Sequence, residues 1–414
     1  MMNSKNIPKR RFKEFAVDRD WQELKLGQLM EVGSVKRVHQ SDWREKGIPF
    51  LRARDIVAEA KNEKLENPLY IDAELYNSYT ALTGKVKKGD ILVTGVGTIG
   101  VPLLIKNEQP LYFKDGNIIW FKNNNSLDGN FFYYSFISET IQKFISNVAG
   151  IGTVGTFTID SGKKTPIYLP TSKEEQILIG KFFQTIDSLI SLHQHKLDKL
   201  KNLKKAYLAE LFPAEGERVP KRRFPGFEGE WEEKELEELG KVITGNTPST
   251  SNASYWSTSS KGHTWVTPTD INDILICYSE RYLSDLGWLT ARTVPENSVL
   301  ITSIASIGKN TINTIPVAFN QQINAIVPQN HNSYFILSAM SRYEKQFKNL
   351  AGQTATPIIN KLTFEKFEIP VPSIKEQEII GEFFKKLDRS INLQQEKLDK
   401  LKDLKKAYLN ELFV

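Results

Sequence analysis

EEQILIGKFFQTIDSLISLHQHKLDKLKNLKKAYLAELF, residues 174–212, decides how this chain is read, because it is written twice. The second copy, KEQEIIGEFFKKLDRSINLQQEKLDKLKDLKKAYLNELF, occupies 375–413. It aligns without a gap at an offset of 201 and matches at 25 of 39 positions. Each copy opens on a helix-start signal, Ser172-x-x-Glu175 and Ser373-x-x-Glu376, just after the extended segments IYLP and IPVP. Beyond Gly180 and Gly381 neither contains Pro or Gly. The stripe Ile186, Ile190, His193, Leu197, Leu200, Lys204, Tyr207, Leu211 recurs as Leu387, Ile391, Gln394, Leu398, Leu401, Lys405, Tyr408, Leu412. Alternating spacings of three and four predict one buried seam on each helix, with the other lysines on wet faces. A fully helical copy would span about 58 Å at 1.5 Å per residue. Two such stripes predict an antiparallel coiled coil.

Outward from the helices, the preceding blocks also repeat. PKRRFKEF (8–15) echoes PKRRFPGF (220–227), and each is followed by a tryptophan, Trp21 or Trp231. DILVTGVGTIG (90–100) lies over SVLITSIASIG (298–308). Gly27/Gly240, Trp43/Trp256, Asp55/Asp270, Gly100/Gly308 and Phe113/Phe319 coincide. Short runs such as DILVT, NIIWF, NAIVP and KFEIPVP predict strands. Residues 131–148 and 333–350 carry helical periodicity. The expected architecture is α+β: two similar mixed domains separated by the two long helices, with an approximate two-fold relation. The expected boundaries are 1–171, a helical repeat at 172–212, a linker at 213–230, a second domain at 231–371, and a second helical repeat at 372–414.

Composition narrows the function. The 55 Lys+Arg against 49 Asp+Glu give a net charge of +6, which permits an anionic partner without identifying one. No apolar run approaches the length of a membrane span, and MMNSKNIPKRRFKEF lacks the apolar core of a secretory signal. Cys277 stands alone, so an intrachain disulfide framework and a cysteine-clustered metal site are excluded. A cytoplasmic location fits.

Motifs that suggest catalysis fare poorly. Gly95-x-Gly97-x-x-Gly100 follows a strand, yet Val101-Pro102 and further apolar residues come next where a phosphate-binding helix is required. Its duplicate carries Ser303, Ala305 and Gly308, so a turn is the better reading. Gly150-x-Gly152-x-x-Gly155 follows a helix and reads as a loop. Asn67-Pro68-Leu69-Tyr70 departs from the Asn-Pro-Pro-Tyr loop of amino-methyltransferases at the second proline. His193 and His195, two apart on a helix, point to different faces. No catalytic or metal-ligating centre emerges.

Taken together, the PKRRF-to-Trp entry, the paired helix starts with Glu175-Gln176 and Glu376-Gln377, and the twin KLDKLK-x-LKKAYL helices resemble the specificity subunit of type I restriction-modification systems. The resemblance covers essentially the whole chain. It implies two target-recognition domains that read a bipartite, asymmetric site on double-stranded DNA. It further implies helical repeats that dock two modification subunits, which methylate adenine at N6 with S-adenosylmethionine. Restriction subunits would bring ATP and Mg and carry out translocation and cleavage. This chain itself would hold no cofactor and catalyse nothing. The competing readings are a free-standing nucleotide-binding enzyme, a coiled-coil scaffold that binds only proteins, and a free-standing DNA-binding regulator.

Where the scaffolds agree and the polar residues differ, base reading is expected. In the first block the candidates are Lys36, Arg37, His39, Arg52 and Arg54. In the second they are Ser249, Thr250, Asn252, Thr267, Thr269, Asn320, Gln321, Gln322 and Gln353. Arginine suits guanine O6/N7, Asn and Gln suit adenine, and threonine can meet a thymine methyl. Lys85, Lys87, Lys88, Lys163, Lys164, Lys261 and Lys309 are expected to neutralise the DNA backbone.

Overall fold

The computed structural model describes residues 6–61, 63–150, 155–352 and 357–414. The chain forms two compact units. One combines Met1–His193 with Lys397–Val414, and the other is Gln194–Glu396. Both repeats are continuous helices of 39 residues, Lys173–Leu211 and Ile374–Leu412. Each helix therefore begins in one unit and ends in the other.

In the first unit an antiparallel sheet runs in the order Glu31–Gly33, Ile118–Lys122, Ile91–Thr94, Pro102–Leu104. A smaller sheet places Ile48–Leu51 between Leu69–Ile71, antiparallel, and Tyr112–Phe113, parallel. A two-stranded ribbon pairs Gln22–Lys25 with Pro166–Leu169. The second unit repeats this plan. Gly240–Thr244, Ile323–Pro328, Val299–Thr302 and Asn310–Asn313 pair antiparallel in that order, with Leu275–Ile276 added parallel beside the last, His263–Val266 runs parallel to Val317–Phe319, and Glu232–Glu235 pairs with Glu368–Val371. The central strands Ile91–Thr94 and Val299–Thr302 are buried along their whole length. This explains their unbroken apolar runs, since both faces are covered.

The residue just past each long helix closes a core built largely from distant segments of the chain. Phe413 packs between Phe131, Phe183 and Trp21 in the first unit, at ring separations of 5.6, 5.8 and 6.4 Å. Phe212 does the same with Phe335, Trp231 and Phe384 in the second. Within each unit the helices run antiparallel. Phe182 meets Tyr408 in the first, and Tyr207 meets Phe383 in the second, both edge to face. The seam residues Ile186, Leu197, Leu211, Leu387, Leu398 and Leu412 are buried, and Ile190, Leu200, Tyr207, Ile391, Leu401 and Tyr408 are half-buried.

The repeated motifs are anchors for these helices. Arg11 makes a two-pronged ion pair with Glu175, at 2.6 and 2.7 Å, and Arg223 does so with Glu376. Both carboxylates are buried, so the glutamate of the expected capping box serves the PKRRF arginine instead of its own helix start. Ser172 still caps, accepting from the backbone N–H of Glu175. The adjoining Gln176 and Gln377 accept from the backbone N–H of Asp128 and Asn332. Those two residues cap their own helices at Phe131 and Phe335. A Cβ on Gly180 or Gly381 would fall within 2.5 Å of those capping oxygens, so only glycine lets the elements cross this closely.

The helical stretches 131–148 and 333–350 are each two helices, Gly129–Phe136 with Glu139–Ala149, and Ser333–Arg342 with Glu344–Asn349. The break at Ile137-Ser138 redirects the chain so that Ile141 and Ile145 join the core. Tyr343 ends one helix and begins the next.

Candidate nucleic-acid interface

In both units some of the polar candidates lie where parallel strands end, a place where open sheets commonly bind ligands. In the first unit Leu51 and Phe113 lie side by side at those ends, followed by Arg52 and Lys114. In the second, Val266 and Phe319 are the counterparts, followed by Thr267 and Asn320. The backbone N–H of Lys114 donates to Leu51, and that of Asn320 donates to Val266, at 2.8 and 2.9 Å.

Next to these ends stands the turn read from the repeated glycines. Gly97 and Gly100 have φ of 70° and 79°, and their counterparts Ala305 and Gly308 have 61° and 90°. The left-handed position at 97 thus persists in the second unit on an alanine, which costs energy there. The Thr94 and Thr302 hydroxyls donate across the turn to the carbonyls of Thr98 and Ser306. Gly95 N–H donates to Asn117 and its carbonyl accepts from Phe157. Ser303 likewise donates to Gln322 and accepts from Ile359. A common backbone frame thus carries unlike side chains in the two units.

The candidate readers differ in how free they are. Val35 and Val38 are buried, leaving Lys36, Arg37 and His39 exposed between and beside them. Lys36 lies over the Tyr79 ring at 4.3 Å. The Tyr112 hydroxyl, pushed up to about 12 by burial and so a dependable donor, holds the Lys36 carbonyl at 2.9 Å. Arg37 donates from Nε to Asp115 at 2.9 Å. Arg52 is committed to structure: it bonds Asp55 through Nε and Nη2 and reaches the Asn67 carbonyl. Only 15% of its side chain is exposed, against 59% for Arg54. The Asn67-Pro68 motif therefore serves as the brace for Arg52.

In the second unit Thr267 is held by Asp270 through its N–H and its hydroxyl, and touches Thr269 at 2.7 Å. Asn252 caps a short turn through Ser254, and Ser249 bonds Ser251 and offers its carbonyl to Trp256 Nε1. Thr250 is exposed. Asn320 accepts from the N–H of Gln322, and Gln321 takes a hydrogen bond from Thr247. Gln353 lies outside the described residues, as does Gly152.

The lysines do not gather at this end. Lys309 flanks the turn of the second unit, whereas Lys85, Lys87 and Lys88 precede the strand Ile91–Thr94 and sit at its opposite end. Lys163 packs its backbone against Gly27 and Lys164 pairs with Asp160. Lys261 is exposed before the strand His263–Val266.

Sequence reasoning passed over Lys114, Asp115 and Asn117, although the Phe113/Phe319 match placed them opposite Asn320–Gln322. It also passed over the cluster in which Arg281 lies 3.8 Å above Trp256 and His263 stacks on Trp288 while bonding Asp285. Among the described residues no group of three or more His, Cys, Asp or Glu could hold a metal ion. No helix among them is long and apolar enough to cross a membrane.

Residues 18–202 and 228–403 match the family described as Type I restriction modification DNA specificity domain. Over 243 residues the chain is 29% identical to the Type I restriction enzyme HindI specificity subunit of Haemophilus influenzae, covering 55% of this chain and 51% of that one. Over 186 residues it is 30% identical to the Type I restriction enzyme MjaIX specificity subunit of Methanocaldococcus jannaschii, covering 42% of each. The chain thus spans about half the length of these curated relatives. Among solved structures, the S subunit of a type I restriction-modification system from M. genitalium is similar in fold, with a TM-score of 0.66 over 99% of both chains at 15% identity.

Proposed function

This chain belongs to the type I restriction-modification DNA specificity family, and from that premise we propose that it is the sequence-reading subunit of a modification and restriction complex. Residues 1–171 and 231–371 are the two target-recognition domains, 213–230 is the linker, and the repeats at 172–212 and 372–414 are spacers. Each domain reads one short half-site of duplex DNA, and because the readers differ, the site is bipartite and asymmetric. The observation that carries this reading is the repeated end of parallel strands, with one backbone frame and different polar side chains. Phosphate contacts position a protein on DNA, while differing side chains at base edges specify sequence.

Catalysis belongs to partners in this reading. Modification subunits supply S-adenosylmethionine and the methyl transfer, and restriction subunits supply ATP-driven cleavage with Mg. The helices offer them a face. Leu192 and Leu404 are exposed in the first unit, and their repeat counterparts Leu393 and Leu203 in the second. Exposed leucines recurring at equivalent positions suit a docked subunit, one per unit.

Methylation profiling of DNA from cells carrying the system tests the function. The expected result is N6-methyladenine at a split motif that changes in one half when one recognition domain is exchanged for a relative's. A motif unaffected by exchanging both domains would overturn the proposal.

A further inference from the structure

We infer that Arg37, aimed by Asp115, reads a guanine in the half-site of the first unit. The inference rests on the DNA-reading function proposed above and adds a base and a positioning residue to it. Arg37 gives only its Nε to Asp115, at 2.9 Å, and its side chain is 71% exposed. Among the described residues, nothing else takes a hydrogen bond from its guanidinium. Nη1 and Nη2 are therefore left as a planar fork, the donor pair that matches guanine O6 and N7.

The fork is preset. The Tyr112 hydroxyl holds the carbonyl just before Arg37, and Asp115 lies three residues beyond Tyr112, on a turn pinned by Lys114 to Leu51. Asp115 is 16% exposed, so its carboxylate has little freedom. A carboxylate beside the guanidinium also repels phosphate, which turns this arginine from a backbone neutraliser towards a neutral base edge. Neither Arg52 nor Arg54 combines these features: one is engaged through both Nε and Nη2, and the other lacks a close carboxylate, its nearest oxygen on Asp55 being 3.8 Å away. In the second unit the counterpart loops are bridged by Thr247 and Gln321, which carry no charge.

The test selects bound sequences from a randomised duplex pool, using the complex of the full chain with its modification subunit. Wild type should select a guanine that R37A relaxes by about 10-fold or more, with the other half-site unchanged. R37K, which keeps the charge and loses the fork, should relax the same position. D115A should do likewise without shifting the thermal midpoint, and D115A combined with R37A should relax it no further. An unchanged motif in R37A, full guanine preference in R37K, or an even loss at all positions with a shallower salt slope would overturn the inference. A wild-type complex that selects no motif would instead overturn the DNA-reading function itself.

Discussion

Lys204 on the first long helix donates to Asp388 on the second at 2.6 Å, and the residues 201 positions away, Lys405 and Asp187, make the same contact in the other unit. Burial raises the Asp388 carboxyl above its ordinary range, and Lys204 pulls it back. Such a pair contributes little net stability but is costly to break singly. K204M or D388L alone should therefore destabilise the second unit by about 3 kcal/mol, and the double change should recover most of it. Urea denaturation of the three variants measures this. Additive losses would show that the two side chains do not act as a pair.

The two arginines of each PKRRF motif have different weights. Glu376 is 1% exposed and depends on Arg223, so R223A should cost about 3 kcal/mol. Arg222 pairs with Glu210 where both are well exposed, and R222A should cost under about 1 kcal/mol. Thermal melts of both variants check the contrast, and equal losses would contradict it.

Aromatic closure at the helix ends makes a third prediction. F413A should cost about 3–5 kcal/mol, the usual range for emptying a buried aromatic site. Hydrogen exchange should show lost protection in the helices around Phe131 and Phe183. A variant as stable as wild type would mean that Phe413 does not complete the first core.

His331 gives the second unit an acid sensitivity. Its pKa is lowered by burial, against a raising contribution from Gln377. Below its unfolded value, about 6.5, the unfolded chain binds a proton that the fold resists. Stability from this residue is therefore present above that pH and falls as acid is added. The first unit has Leu127 at the matching place beside its capping Asp128. H331L should flatten the melting temperature between pH 7.5 and 5.5, and an unaltered slope would assign the sensitivity elsewhere.

The duplication made much of this fold legible in advance. Helix starts at Ser172 and Ser373, the seam from Ile186 to Leu412 and the turns at Gly100 and Gly308 all follow from local rules of capping, period and φ. Arg52 shows where such rules stop. By type it is a guanine reader, yet Asp55 and the Asn67 carbonyl, 15 residues away, occupy it. Removing it should therefore loosen the loop beneath it.

Pattern and period, being properties of neighbours along the chain, were enough to establish two like blocks and two long amphipathic helices, and the motifs those elements carry resemble a DNA-specificity family. Which arginine keeps a free fork, which glutamate is buried under PKRRF, and which core Phe413 completes depend on residues that meet only after folding. Those facts rest on three-dimensional proximity and desolvation, which no spacing in a single sequence encodes.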